Sequence, residues 1–222
     1  MGRRVLSLRY LLILFAIVDI YLLAQQLSPL QKVFELPLNG AVGIDPAICL
    51  VAYIGLLLWL PSRQSAVITQ ALGESLLLGL LAGVVIVLEL QIQASAVLRQ
   101  TDPPLLLIRI LMVAAAIVCG IAGLRGGRIT GNASVGLVTG IWSAMTAGLL
   151  GATAVLMRMT VAGPPPASND LWKQYEGLAI GNDTTQALVQ SLNSTTFFLL
   201  VTPLVGGFLG LLFALFGQKD NA

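Results

Sequence analysis

The sequence predicts an all-α fold: a polytopic integral membrane helical bundle of about six transmembrane helices. Both termini are expected in the cytoplasm, with short interfacial helices on the outer face. Three observations carry this expectation. Of the 222 residues, 57% are hydrophobic and only 10% are charged, whereas about a quarter of an average soluble domain is charged. A water-soluble fold cannot cover so much apolar surface with so few charges, and surrounding lipid removes the need to. The apolar residues also fall into runs near the roughly 20 residues that a helix needs to cross a bilayer. Finally, each segment assigned to the cytoplasm carries at least one Lys or Arg. Residues 1–222 read as a single integral membrane domain, with the lipid bilayer as its first partner.

The first span is residues 5–24, behind Gly2-Arg3-Arg4. A cleavable signal peptide is the rival reading. The run is long for such a peptide and no A-x-A site follows it, so an uncleaved anchor is favoured. Ser28-Pro29 then reads as the N-cap and first position of a short interfacial helix, ended by Pro37. Asp45-Pro46 repeats the device and opens the second span, 47–62. Its apolar run, 47–60, covers only about 20 Å of a roughly 30 Å hydrocarbon core. It must therefore extend past Pro61 or be shielded by neighbouring helices.

The third span is 70–92, continuing as helix toward Arg99. The fourth is 104–124, started by Thr101-Asp102-Pro103. Gly123-Leu124-Arg125-Gly126-Gly127-Arg128 is expected to be a flexible basic turn into the fifth span, 133–157; contact of Arg125 and Arg128 with anionic lipid is the less favoured reading of its charge. It is no phosphate loop, because the Lys-Ser/Thr pair and the preceding strand are missing. The outer-face loop is 158–194, with Pro164-Pro165-Pro166 stiffening the exit and Trp172 and Tyr175 suited to the headgroup layer. Asp183 caps a helix that leads into the sixth span, 195–217. Pro203 lies inside that span; having no N–H, it frees the carbonyl of Leu199 and should kink the helix.

With the N-terminus inside, Arg3, Arg4, Arg9, Arg63, Arg125, Arg128 and Lys219 are cytoplasmic, while Lys32, Arg99, Arg158 and Lys173 are outside. The compact loops suggest a bacterial cytoplasmic (inner) membrane. Three glycosylation triplets, at Asn132, Asn182 and Asn193, would matter only in a eukaryotic secretory membrane. Cys49 and Cys119 fall near opposite faces, so no disulfide joins them.

Two patterns bear on function. Gly136, Gly140, Ala144, Gly148 and Ala152 recur every four residues in the fifth span, which keeps them near one helix face. Gly79 and Gly83 repeat the motif in the third span, as do Gly206, Gly210 and Ala214 in the sixth. Such faces let helices approach backbone to backbone, within the bundle or toward another protein. The second pattern is a set of ionisable residues in apolar runs: Asp19, Glu89 and Arg109, with Glu74 nearer the cytoplasmic edge. A charge at bilayer depth is costly and should face a partner or water. A Glu89–Arg109 pair across the hairpin of spans three and four is the expected arrangement, and Asp19, in the same outer half, could complete a polar cavity for an ion, proton or small solute.

Other chemistry is poorly served. There is no histidine, which removes the commonest general base, metal ligand and haem ligand. No G-x-S-x-G elbow and no Cys/His cluster is present, so neither enzyme, metal nor cofactor is expected. The net charge of +2 is no nucleic-acid footprint. The expected function is that of a non-enzymatic subunit or scaffold of a membrane assembly, using glycine-rich faces toward other membrane proteins or a second copy. The alternative is a small ion- or proton-coupled transporter or channel using Asp19, Glu89 and Arg109.

Overall fold

A computed structural model of the chain describes residues 2–27, 40–59, 66–99, 101–162 and 183–218. The expected interfacial helix after Ser28, the stretch past Pro61 and most of the 158–194 loop lie outside these residues. Among the described residues there are six helices and no strand: α1 (Gly2–Leu27), α2 (Gly40–Trp59), α3 (Ala66–Leu98), α4 (Leu105–Thr130), α5 (Ala133–Ala162) and α6 (Asp183–Gln218). Four contain stretches long and apolar enough to cross a membrane: Ala66–Ala96, Leu105–Thr130, Ala133–Val161 and Ser191–Gly217. The apolar stretches Tyr10–Gln25 and Asp45–Trp59 are shorter.

α5 is the central helix. It touches α1, α3, α4 and α6, and 72% of its apolar stretch is buried, against 50% in α3 and 28% in α4 and α6. α3, α4, α5 and α6 form one packed core. α1 lies against α5 and α2, and α2 lies against α6, so α1 and α2 make a second layer. Leu12 and Ala16 of α1, Leu50 of α2, Leu76 of α3, Leu149 and Leu156 of α5, and Leu199 of α6 share one apolar cluster between the layers. The outward faces of α4 and α6 carry Leu106, Ile110, Val113, Leu204 and Phe208, all exposed. An apolar exterior over an interior of small residues is the pattern that lipid surroundings favour.

Three boundaries differ from the sequence expectation. α2 starts at Gly40, so Pro46 lies inside a helix rather than at its first position. α6 is continuous from Asp183 to Gln218, joining the expected capped helix and the sixth span into one. The third difference is the largest. The expected glycine-rich turn at 123–128 is helical, and α4 runs on to Thr130. The physical reason is packing. Gly123 sits against Gly210, Gly126 against Thr139 and Gly127 against Ala214. Glycine is used here for its thinness, and the contacts offset its weak helix propensity. The chain turns instead at Gly131, whose φ of 67° closes α4 in the left-handed conformation. One residue later the Asn132 side chain accepts a hydrogen bond from the Ser134 amide at 2.9 Å and so caps α5.

Candidate functional site

The glycine ladders face one another inside the chain. A methyl group added at Gly140 would run into the carbonyl oxygen of Gly206, and one at Gly148 into that of Phe198. At Gly210 it would come within 2.6 Å of the Gly136 carbonyl oxygen. Gly206 receives the methyl of Ala144, and Ala152 is fully buried. On another side of α5, Gly79 takes the Ser143 backbone and the Thr146 side chain, and Gly83 takes Leu150. Every ladder residue expected to form a packing interface therefore packs against a helix of its own chain.

Four threonines of α5 share one bonding pattern; Thr139, Thr146 and Thr153 are buried and Thr160 is exposed. Thr139, Thr146, Thr153 and Thr160 each return their hydroxyl to the carbonyl four residues earlier, at 2.9 to 3.0 Å. This is the usual way a threonine hydroxyl is satisfied inside an apolar helix. Thr153 does something more. Its Oγ1 lies 2.9 Å from the Leu149 carbonyl oxygen and 3.0 Å from Oδ2 of Asp19 on α1. Asp19 has no exposed surface, and its Oδ1 has no hydrogen-bond partner. One side chain per layer thus meets at the α1–α5 seam: a carboxyl from the outer layer and a hydroxyl from the core.

A second polar contact ties the layers together. Tyr53 of α2 is buried and donates its hydroxyl to the Leu199 carbonyl of α6 at 2.7 Å. Leu199 lies four residues before Pro203, so its carbonyl has no helical donor. Trp142 of α5 is also buried, and its Nε1 has no hydrogen-bond partner. Trp142 and Thr153 are eleven residues apart, about three turns, and so lie on nearly one face of α5.

The expected group of Asp19, Glu89 and Arg109 is not held together by any direct bond. Glu89 is buried on α3 and accepts a hydrogen bond from Gln93 of the same helix. No ion pair joins it to Arg109, which is exposed on α4. Arg109 is the fifth residue of α4, close enough to the helix start for its long side chain to reach away from the apolar layer. Glu74, one turn from Gln70, is bonded to that side chain at 3.5 Å. Elsewhere, a cavity of about 310 Å³ opens between α4 and α6, lined by Leu124, Arg128, Phe213, Phe216 and Gly217. Both cysteines are free thiols, and the Ser143 hydroxyl points at Cys119 Sγ at 3.8 Å.

Sequence reasoning finds Asp19 and the freed Leu199 carbonyl but misses Thr153, Tyr53 and Trp142. A signal for Thr153 exists: Thr139, Thr146, Thr153 and Thr160 recur every seven residues, a polar stripe on a membrane helix. No comparable pattern marks Tyr53.

Comparison of the chain with protein-family models, with curated proteins and with solved structures finds no match in any of the three.

Proposed function

We propose that this chain is a non-enzymatic, six-crossing membrane protein that serves as a subunit or scaffold of a membrane assembly, with both termini in the cytoplasm. The observation that carries the reading is the interlocked core. Glycine and alanine seams set the α6 backbone directly against that of α5, and on the α3 and α4 sides Gly79, Gly83 and Gly126 receive the Thr146, Leu150 and Thr139 side chains of α5. Such a core resists rearrangement, because interiors packed at this density hold discrete arrangements rather than deform continuously. A fixed body with aliphatic outer faces suits a platform for other membrane components. Since the small residues serve internal contacts, a partner would meet the outward faces instead, such as the Leu106, Ile110 and Val113 side of α4.

Gentle extraction into lipid-retaining particles, followed by mass determination and identification of co-purifying proteins, tests this. A defined oligomer or a stoichiometric partner is the expected result. A monomer recovered alone under every mild condition refutes it. Reporter fusions at each end test the orientation, and activity of both in the cytoplasm is expected.

A second reading has one observation in its favour. Asp19 is a buried acidic group with an unpartnered oxygen, placed between a two-helix layer and a fixed core. Ionisable groups in such places commonly belong to ion or proton pathways. In this reading the chain is a small proton- or cation-coupled transporter in which Asp19 carries the ion, with Glu89 as a further acidic group and Arg109 outside the path. Reconstituted vesicles loaded with a pH-sensitive dye test it. Proton flux should fall in Asp19→Asn, and flux equal to wild type removes Asp19 from any such mechanism.

A further inference from the structure

We infer that Asp19 is a proton-binding site: its carboxyl is held as the neutral acid, with Oδ2–H donating to Thr153 Oγ1, which in turn donates to the carbonyl of Leu149. The inference is independent of whether the chain is a scaffold or a transporter. It follows from counting protons. The Thr153 hydroxyl has one proton to give. Two acceptors lie within its reach, the Leu149 carbonyl at 2.9 Å and Asp19 Oδ2 at 3.0 Å. If Asp19 is ionised, one of these contacts brings two oxygens together without a proton between them. The carboxylate is then left with at most one donor, shared with a carbonyl, and its Oδ1 has none. A fully buried anion supported so thinly is among the costliest arrangements a protein interior can hold. One proton added to Asp19 resolves every contact. The carboxyl then donates through Oδ2, Thr153 keeps its bond to Leu149, and Oδ1 becomes a neutral acceptor, whose lack of a partner costs far less than that of a charge.

Among the described residues, no neighbouring charge alters the count. The described ionisable side chains on the helices packed against α1 are Arg158 on α5, Asp45, Cys49 and Tyr53 on α2, and Glu74 and Glu89 on α3. None of them makes a hydrogen bond or ion pair with Asp19, whose bonded partner is Thr153. On α1 itself, Tyr10 and Tyr21 are exposed. The ligand is therefore a single proton drawn from solvent, and its binding changes the site from an anion to a neutral hydrogen-bond donor.

Infrared difference spectroscopy on the full chain in lipid vesicles at neutral pH tests the assignment. Wild type minus Asp19→Asn should show a carboxylic-acid carbonyl band, because asparagine resembles the neutral acid in shape and charge and leaves the fold in place. In Thr153→Val the band should persist at a shifted frequency, having lost its hydrogen-bond acceptor, and Thr153→Ser should restore the wild-type position. Absence of the band at neutral pH overturns the proposal, as does its appearance only after sodium is removed, which would make the site a cation site. A band at the same frequency in Thr153→Val and wild type overturns the Thr153 pairing.

Discussion

The hydroxyl of Tyr53 on α2 donates to the Leu199 carbonyl of α6, at 2.7 Å and across 146 residues of sequence. The acceptor exists because Pro203, four residues on, has no N–H to offer it. A proline in one helix and a tyrosine in another thus form a single unit, which pins the outer layer to the core.

Tyr53→Phe should therefore destabilise the protein by about 1 kcal/mol, the scale measured for hydrogen bonds between membrane helices. Pro203→Ala supplies the missing amide, so Tyr53→Phe should cost clearly less in that background than in wild type. Unfolding of the four proteins in a double-mutant cycle checks this. Equal costs in both backgrounds would mean that the carbonyl and the hydroxyl do not depend on each other.

The glycine seams divide the glycines into two classes. Gly140→Ala forces a methyl against the Gly206 carbonyl oxygen and within 2.8 Å of Gly210 Cα. Overpacking against backbone costs about 1–3 kcal/mol, so the thermal midpoint should drop. Gly55 of α2 has nothing within 4 Å of an added methyl, and Gly55→Ala should leave the midpoint unchanged or raise it. Because Gly140 faces inward, the same loss should appear in the isolated monomer, and disruption confined to an oligomer would contradict the packing described.

Glu89 and Arg109 should behave as independent residues. Glu89→Gln keeps a side chain that can still bond Gln93, and Arg109→Gln removes an exposed charge. The effects of the two on unfolding should add within about 0.5 kcal/mol, as those of residues that share no bonding partner do. A larger coupling would restore the ion pair expected across the α3–α4 hairpin.

At Gly131 the backbone itself is under test. Its φ of 67° and the open space around it mean that a side chain would fit but the conformation would not suit it. Gly131→Ala should cost about 1–2 kcal/mol, and Gly131→Asn noticeably less, since asparagine tolerates the left-handed region. Thermal unfolding of the two variants gives the comparison.

The helical character of the chain is legible in its apolar runs, and the start of α5 at Ala133 coincides with its expected position. The ends are less legible where glycine is involved. Gly123, Gly126 and Gly127 look like a turn because glycine in water-exposed sequence favours turns. In a packed membrane helix the same residue marks where a neighbouring backbone comes close, and local sequence does not tell these uses apart. Pro46 misleads in a similar way, as a residue that commonly opens helices and here lies inside one. For the site, Asp19 stands out because an acid in an apolar run has few innocent explanations. Thr153 and Tyr53 do not stand out, since each becomes notable through a residue more than a hundred positions away. Arg109 is legible as a charge near a helix end, since the expected start of the fourth span at 104 and that of α4 at Leu105 differ by one residue; that it stands apart from Glu89 is not legible, because that depends on how α3 and α4 pack.

The central position of α5 also bears on how the chain reaches its final form. It is the least apolar of the four long helices and the most enclosed, and the backbone it leans on most closely belongs to α6, which the ribosome makes later. During synthesis α5 must therefore wait, sheltered by α3 and α4 or by the insertion machinery, until its last neighbour emerges. A chain cut short after residue 162 would strand in the translocon a helix built to be surrounded.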